Sequence, residues 1–142
     1  MSESDDPRAR LRAVRLRATP PRIAVLAHLD RQRSPVSHPE LCAALAPEGW
    51  DRGTLYRNLA DLTRVGLVRK RDLGDHLWRY EVVERGPGQD EIEHPHFLCT
   101  RCGAVACLPE FEVRVPSGDV PRALTLGTYQ IQVHGVCDEC LK

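Results

Sequence analysis

The chain has 142 residues, with 20 Lys and Arg against 20 Asp and Glu, so its formal net charge is zero. No apolar run approaches the ~18 residues of a membrane span, which excludes a helical membrane anchor within this sequence. The neutral total hides a split: residues 7–84 carry 15 Arg and Lys against 9 Asp and Glu, residues 85–142 carry 5 against 8, and Glu3, Asp5 and Asp6 make the start acidic. A basic half followed by an acidic, cysteine-rich half points to a DNA-binding module joined to something else. The start, Met1-Ser-Glu-Ser-Asp-Asp6, has neither a basic n-region nor an apolar h-region, so no secretory signal is visible and a cytoplasmic location is expected.

The first predicted element is a helix over Pro7 to Arg17, with Leu11 and Val14 inward. Thr19-Pro-Pro is a start signal for a second helix, because proline in the first turn forfeits no hydrogen bond; Ile23, Leu26 and Ala27 give it an apolar stripe. Ser37-His-Pro-Glu40 has the spacing of a capping box and opens a third helix through Leu41, Cys42 and Leu45, ended by Gly49. The fourth helix starts at Asp51 or Arg52 and stops at Gly66. Its Leu55, Leu59, Leu62 and Val65 recur every three or four residues and face inward. Leu67–Arg71 and His76–Val83 alternate as two strands about the turn Asp72–Asp75. Helices followed by a two-stranded ribbon make a winged helix-turn-helix.

On that reading the fourth helix lies in a major groove of double-stranded DNA. Thr54, Tyr56, Arg57 and Asn58 meet the nucleic acid, and Arg69, Lys70 and Arg71 of the wing meet phosphates. The plainer alternatives are a solvated helix face or a winged helix that binds protein; the clustering of these cations on one predicted surface favours DNA. Turn formers and charges in Glu84-Arg-Gly-Pro-Gly-Gln-Asp-Glu91 then read as a linker. The chain divides into a winged-helix domain (1–84), a linker (85–93) and a metal-binding domain (94–142).

Two Cys-x-x-Cys knuckles, Cys99-Thr-Arg-Cys102 and Cys137-Asp-Glu-Cys140, carry the chemistry of the second half. Two residues between thiolates let both sulfurs reach one tetrahedral ion from a tight turn, and two knuckles complete a four-sulfur shell for a structural Zn(II). Disulfides are the alternative, disfavoured by the intracellular character of the chain.

Four stretches in register resemble the ferric-uptake-regulator (Fur) family: Arg15-Leu-Arg-Ala-Thr-Pro-Pro-Arg22, Gly53-Thr-Leu-Tyr-Arg-Asn-Leu59, Arg79-Tyr-Glu81, and His94-Pro-His-Phe-Leu-Cys-Thr-Arg-Cys-Gly103, with Gly135-Val-Cys-Asp-Glu-Cys140 matching again. The resemblance implies an α+β protein: an N-terminal winged helix-turn-helix domain followed by a small zinc-stapled α/β dimerisation domain. It further implies a homodimeric, metal-dependent transcriptional repressor of metal-homeostasis genes, acting on a double-stranded DNA operator. The matching positions of the family's regulatory site are Glu81, His94 and His96, and the place of a further ligand is held by Cys107. A thiolate there favours Zn(II) over Fe(II) or Mn(II) as the second, regulatory ion; the alternative is that Cys107 is a buried small hydrophobe. The family's N-domain histidine falls at Pro35, with His38 three residues on as a possible substitute. The histidine of the family's second sensing site falls at Tyr129 on the last strand, with His134 elsewhere on it, so that site is expected to be absent. Pro116, Gly118 and Pro121 break the dimerisation helix that relatives place in the 109–127 region; Phe111, Val113 and Val115 alternate like a strand instead, with one short helical turn at Arg122–Leu124. The competing functions are a winged-helix/zinc-ribbon interaction module of the transcription machinery and a zinc-dependent enzyme. The second has no phosphate loop or nucleophile elbow to support it, and a non-enzymatic protein is expected.

Overall fold

The computed structural model describes residues 6–83, 95–126 and 129–142. The expected linker at 85–93 and His94 lie outside the described residues. The chain divides into two compact units, residues 1–85 and 86–142.

In the first unit, α1 (Pro7–Ala13) is capped by Asp6, whose carboxylate accepts from the Arg8 N–H. It stops four residues short of the expected Arg17. Arg15 takes a left-handed φ of 60°, and the Leu16 N–H returns to the Leu11 carbonyl at 2.9 Å. That is a Schellman-type stop, made here without the glycine that would have announced it. The second helix, α2 (Pro20–Asp30), begins at Thr19 as read from the prolines, although the Thr19 hydroxyl makes no capping bond. Ser37 caps α3 (His38–Ala44) by accepting from the Glu40 N–H, and its hydroxyl donates to Glu40 Oε1 at 2.9 Å. A 3₁₀ turn (Ala46–Glu48) leads to α4 (Arg52–Arg64), where Asp51 accepts from the Thr54 N–H at 2.8 Å. Gly66, at φ 80°, ends the helix in the expected way, with the Leu67 N–H on the Leu62 carbonyl.

The wing is β2 (Val68–Asp72) against β3 (Trp78–Val82), antiparallel, with Arg69 opposite Glu81 and Lys70 opposite Tyr80. A third strand escaped the sequence: β1 (Val36–Ser37), two residues long, pairs with β3 on its other side. Two residues carry no periodicity to read. The core of this unit is leucine-rich, with Leu11, Leu26, Leu41, Leu55, Leu59 and Leu62 all at most 1% exposed. Each such side chain contributes about 1.5–3 kcal/mol by leaving water.

The second unit is a small sheet of order β5-β4-β6 with two short helices: β4 (His96–Cys99), β5 (Val105–Cys107), α5 (Arg122–Leu126), β6 (Gln132–Gly135) and α6 (Asp138–Leu141). Strand β4 is antiparallel to β5 and parallel to β6. The expected strand at Phe111–Val115 does not form. These residues are irregular, and Phe111 and Val113 are 48% and 44% exposed. Alternation alone does not make a strand where no sheet edge takes up its backbone groups. The expected helical turn is present and runs slightly further, to Leu126.

Candidate metal centre and nucleic-acid interface

The sheet of the second unit brings the two knuckles together. Strand β4 runs into Cys99, and the chain then reverses with Gly103 at φ 76°; the Gly103 N–H reaches the Cys99 carbonyl and the Cys99 N–H reaches the Ala104 carbonyl. Parallel pairing puts Cys99 level with Gly135, and the Thr100 N–H donates to the Gly135 carbonyl at 2.8 Å. A Cβ on residue 135 would lie 3.0 Å from the Phe97 ring, so glycine permits this approach of the strands. Cys137 then starts α6, which carries Cys140 one turn on.

The four sulfurs all lie within 4.8 Å of one another, and Cys102 and Cys137 are 3.7 Å apart. The edge of a tetrahedron with bonds of about 2.3 Å is roughly 3.8 Å, so the spacing fits zinc, and it is far beyond the ~2.05 Å of a disulfide. None of the six cysteines is in a disulfide. The protons on these thiols argue the same way. Backbone N–H groups of Cys102 and Cys137 draw the Cys99 thiol down to about 6, whereas hydrogen bonding with the Cys137 and Cys102 thiols pushes Cys140 up to about 12. Cys102, although favoured by the Ala104 N–H, is raised on balance by the Cys99 and Cys137 thiols. The Cys99 thiolate forms readily while Cys102 and Cys140 resist joining it; a dication in the centre removes that resistance.

Of the positions matched to a regulatory site, His96 and Cys107 are direct cross-strand partners on β4 and β5. Opposed residues of an antiparallel pair project from the same face with Cβ atoms about 5 Å apart. His96 is buried and Cys107 half-buried. Gln132, on β6, is level with His96 and completes a row that the sequence did not reveal. Tyr129 precedes β6 rather than lying on it, and His134 stands opposite Leu98. Glu81, in the first unit, is ion-paired with Arg71.

The DNA-reading surface needs two corrections, at Asn58 and Arg71, and His38, expected as a possible metal ligand, is a third departure. Asn58 is 6% exposed and donates through Nδ2 to the Thr54 carbonyl, so it faces inward and offers no base contact. Arg71 is 7% exposed and bound to Glu81, which removes it from the phosphate-facing set. His38 is committed locally: Nε2 lies 2.9 Å from the Arg52 carbonyl and 3.3 Å from the Cys42 sulfur, and the ring stands edge-on to Tyr56. That makes it a prop for the start of α4. Tyr56, Arg57 and Lys70 remain exposed. Tyr56 is half exposed, Arg57 is exposed with Nη2 on the Thr54 hydroxyl, and Lys70 lies 4.2 Å over the Trp78 ring. The α2–α4 angle is braced by Arg22, which donates to Asp61 at 2.8 Å and to the Arg17 carbonyl. Thirty-nine residues separate the Arg22–Asp61 pair, so no local signal could have found it.

A winged helix-turn-helix followed by a Cys₄ unit defines a metal-binding, DNA-binding regulator. The chain belongs to the ferric uptake regulator family, whose model matches residues 13–136, and it is accordingly a metal-responsive transcriptional regulator. It is 25% identical to the peroxide-responsive repressor PerR of Staphylococcus epidermidis, over 97% of this chain and 90% of that protein. Among solved structures, the Vibrio cholerae ferric uptake regulator superposes with a TM-score of 0.67 at 21% identity, covering 93% of this chain and all of that one. A zinc-bound manganese uptake regulator superposes with a TM-score of 0.68 at 16% identity, covering 94% and 99%. At these identities the two structures establish the fold alone. Among the described residues, no helix is long and apolar enough to cross a membrane.

Proposed function

We propose that this protein is a homodimeric repressor whose hold on an operator is switched by a divalent ion bound to Glu81, His94, His96 and Cys107, while Cys99, Cys102, Cys137 and Cys140 keep a permanent structural zinc. The observation that carries the reading is the register of β4 and β5, which gives an imidazole and a thiol one shared face beside the knuckle. Two imidazoles, a thiolate and a carboxylate form a tetrahedral set suited to Zn(II). Thr54, Tyr56 and Arg57 read the groove, and Arg69 and Lys70 hold phosphates. Ligation shifts the protein toward its DNA-competent arrangement only by the difference in affinity between arrangements.

The peroxide-responsive relatives favour a second reading, in which the regulatory ion is Fe(II) and the signal is oxidation. Cys107 weighs against it, because a soft thiolate suits zinc better. The deciding experiment measures binding to a duplex selected from a random pool, titrated with Zn(II), Mn(II) or Fe(II) with and without peroxide. His96→Ala should retain one zinc per chain and lose metal-dependent binding. Metal-independent binding by both proteins would remove the switch.

A further inference from the structure

The cations of the wing are held in two different ways. Arg71 and Arg79 are buried and each is bound to a carboxylate, Glu81 and Asp75 in turn. Lys70 is exposed and has no carboxylate within ion-pair reach among the described residues; its ammonium lies 4.2 Å from the centre of the Trp78 ring instead. Strand register sets this contact up. Val68, Lys70 and Asp72 of β2 share a face with Trp78, Tyr80 and Val82 of β3, with Lys70 opposite Tyr80 and Trp78 one pair further out. Diagonal neighbours of an antiparallel pair stand roughly 7–8 Å apart, a gap that a lysine and an indole can close between them. At its base this face joins the core: Val68 and Tyr80 are buried, and Val82 packs against the apolar cluster. Burial, and then the neighbouring Tyr56 phenol, raise the Tyr80 hydroxyl above its ordinary value of 10.0, so the face adjoins the α4 surface that carries Tyr56. At its outer end the face runs beyond the core, and Trp78 is left 50% exposed.

We infer that Trp78 is a positioning residue for DNA binding, whose ring holds the Lys70 ammonium in place for a backbone phosphate without cancelling its charge. The inference rests on the phosphate contact proposed for Lys70 above. A lysine free to move gives up rotamer freedom when it settles on one phosphate, and a lysine already held gives up less. A carboxylate would also hold it, but would neutralise the charge on which counterion release from DNA depends. The ring attracts the ammonium through its quadrupole and carries no net charge. Lys70 therefore keeps its full positive charge, and the N–H groups turned away from the ring remain for a phosphate oxygen. An aliphatic side chain at position 78 would cover the same stem and exert no such hold.

The test is the affinity of the full-length protein for a duplex selected from a random pool, measured across a range of salt at the metal concentration that gives wild type its tightest binding. Wild type is compared with Lys70→Ala, Trp78→Leu, Trp78→Phe and the double variant Lys70→Ala/Trp78→Leu. Lys70→Ala should weaken binding and flatten the plot of log affinity against log salt by roughly one unit. Trp78→Leu should weaken binding by about two- to fivefold when Lys70 is present and have no further effect when Lys70 is absent. Trp78→Phe keeps a π-face and should recover part of the loss; it carries the test with Lys70→Ala if the Leu variant does not fold. An equal loss from Trp78→Leu in both backgrounds would overturn the positioning role, since Trp78 would then act without Lys70. Unchanged affinity in Trp78→Leu, with the slope still flattened by Lys70→Ala, would overturn it and leave the phosphate contact standing. Unchanged affinity and slope in Lys70→Ala would overturn the phosphate contact, and the positioning role with it.

Discussion

The buried apolar cluster of thirteen residues, from Leu11 to Tyr80, lies wholly in the N-terminal unit, whereas the C-terminal unit buries only Pro95, Leu98 and Cys99 among its described apolar side chains. The first unit excludes enough water to stand on helix packing. The second, with a three-stranded sheet and helices of five and four residues, does not. Its order comes from four sulfurs that gather two distant turns. The same chain thus rests its N-terminal unit on apolar burial and gathers its C-terminal unit at a four-sulfur cluster suited to a structural metal.

The comparison breaks most sharply at the zinc. Cys137→Ser should abolish the cooperative transition of residues 95–142 and leave that of the N-terminal unit in place, since structural zinc sites of this kind contribute on the order of 10 kcal/mol to folding. Zinc analysis with thermal unfolding checks this. The converse substitution, Leu59→Ala, should cost the first unit about 2–5 kcal/mol while zinc content stays at its wild-type value, as read by urea unfolding. Replacing Arg57 or Lys70 with Ala should weaken binding to DNA and flatten the dependence of log affinity on log salt by roughly one unit per lost phosphate contact. Asn58→Ala, by contrast, should leave base preference unaltered.

The smallest effect concerns acid. The Arg79 hydrogen bond holds the Asp75 carboxyl below its ordinary value of 3.8. A depressed folded-state value contributes stability above the ordinary value, lost as the pH falls through the folded one. Asp75→Asn should therefore flatten the stability profile below about pH 4 and leave its shape unaltered near neutrality, as followed by urea midpoints across pH.

The sequence was readable wherever a local rule acts. Cys-x-x-Cys spacing gave the sulfur cluster, the Leu55–Leu59–Leu62 repeat gave α4, and Gly66 gave its end. It was unreadable where the outcome depends on a distant partner. Arg15 ends α1 without a glycine, β1 is a strand only because β3 lies beside it, and Asn58 turns inward because the Thr54 carbonyl is within reach. Arg71 looked like a phosphate ligand until pairing of the wing strands set it diagonally across from Glu81, to which its Nε donates. The alternation at Phe111–Val115 misled for the same reason, since a strand is a property of two segments.

Hydrogen exchange on the full-length protein, before and after the zinc is stripped by a chelator, tests this division most directly. Amides of β4 and β6, such as Leu98 and Val133, should lose their protection with the metal, while those of α4, such as Leu59 and Leu62, retain theirs. Protection that persists in the sheet of the stripped protein, or that vanishes equally from α4, would contradict the account.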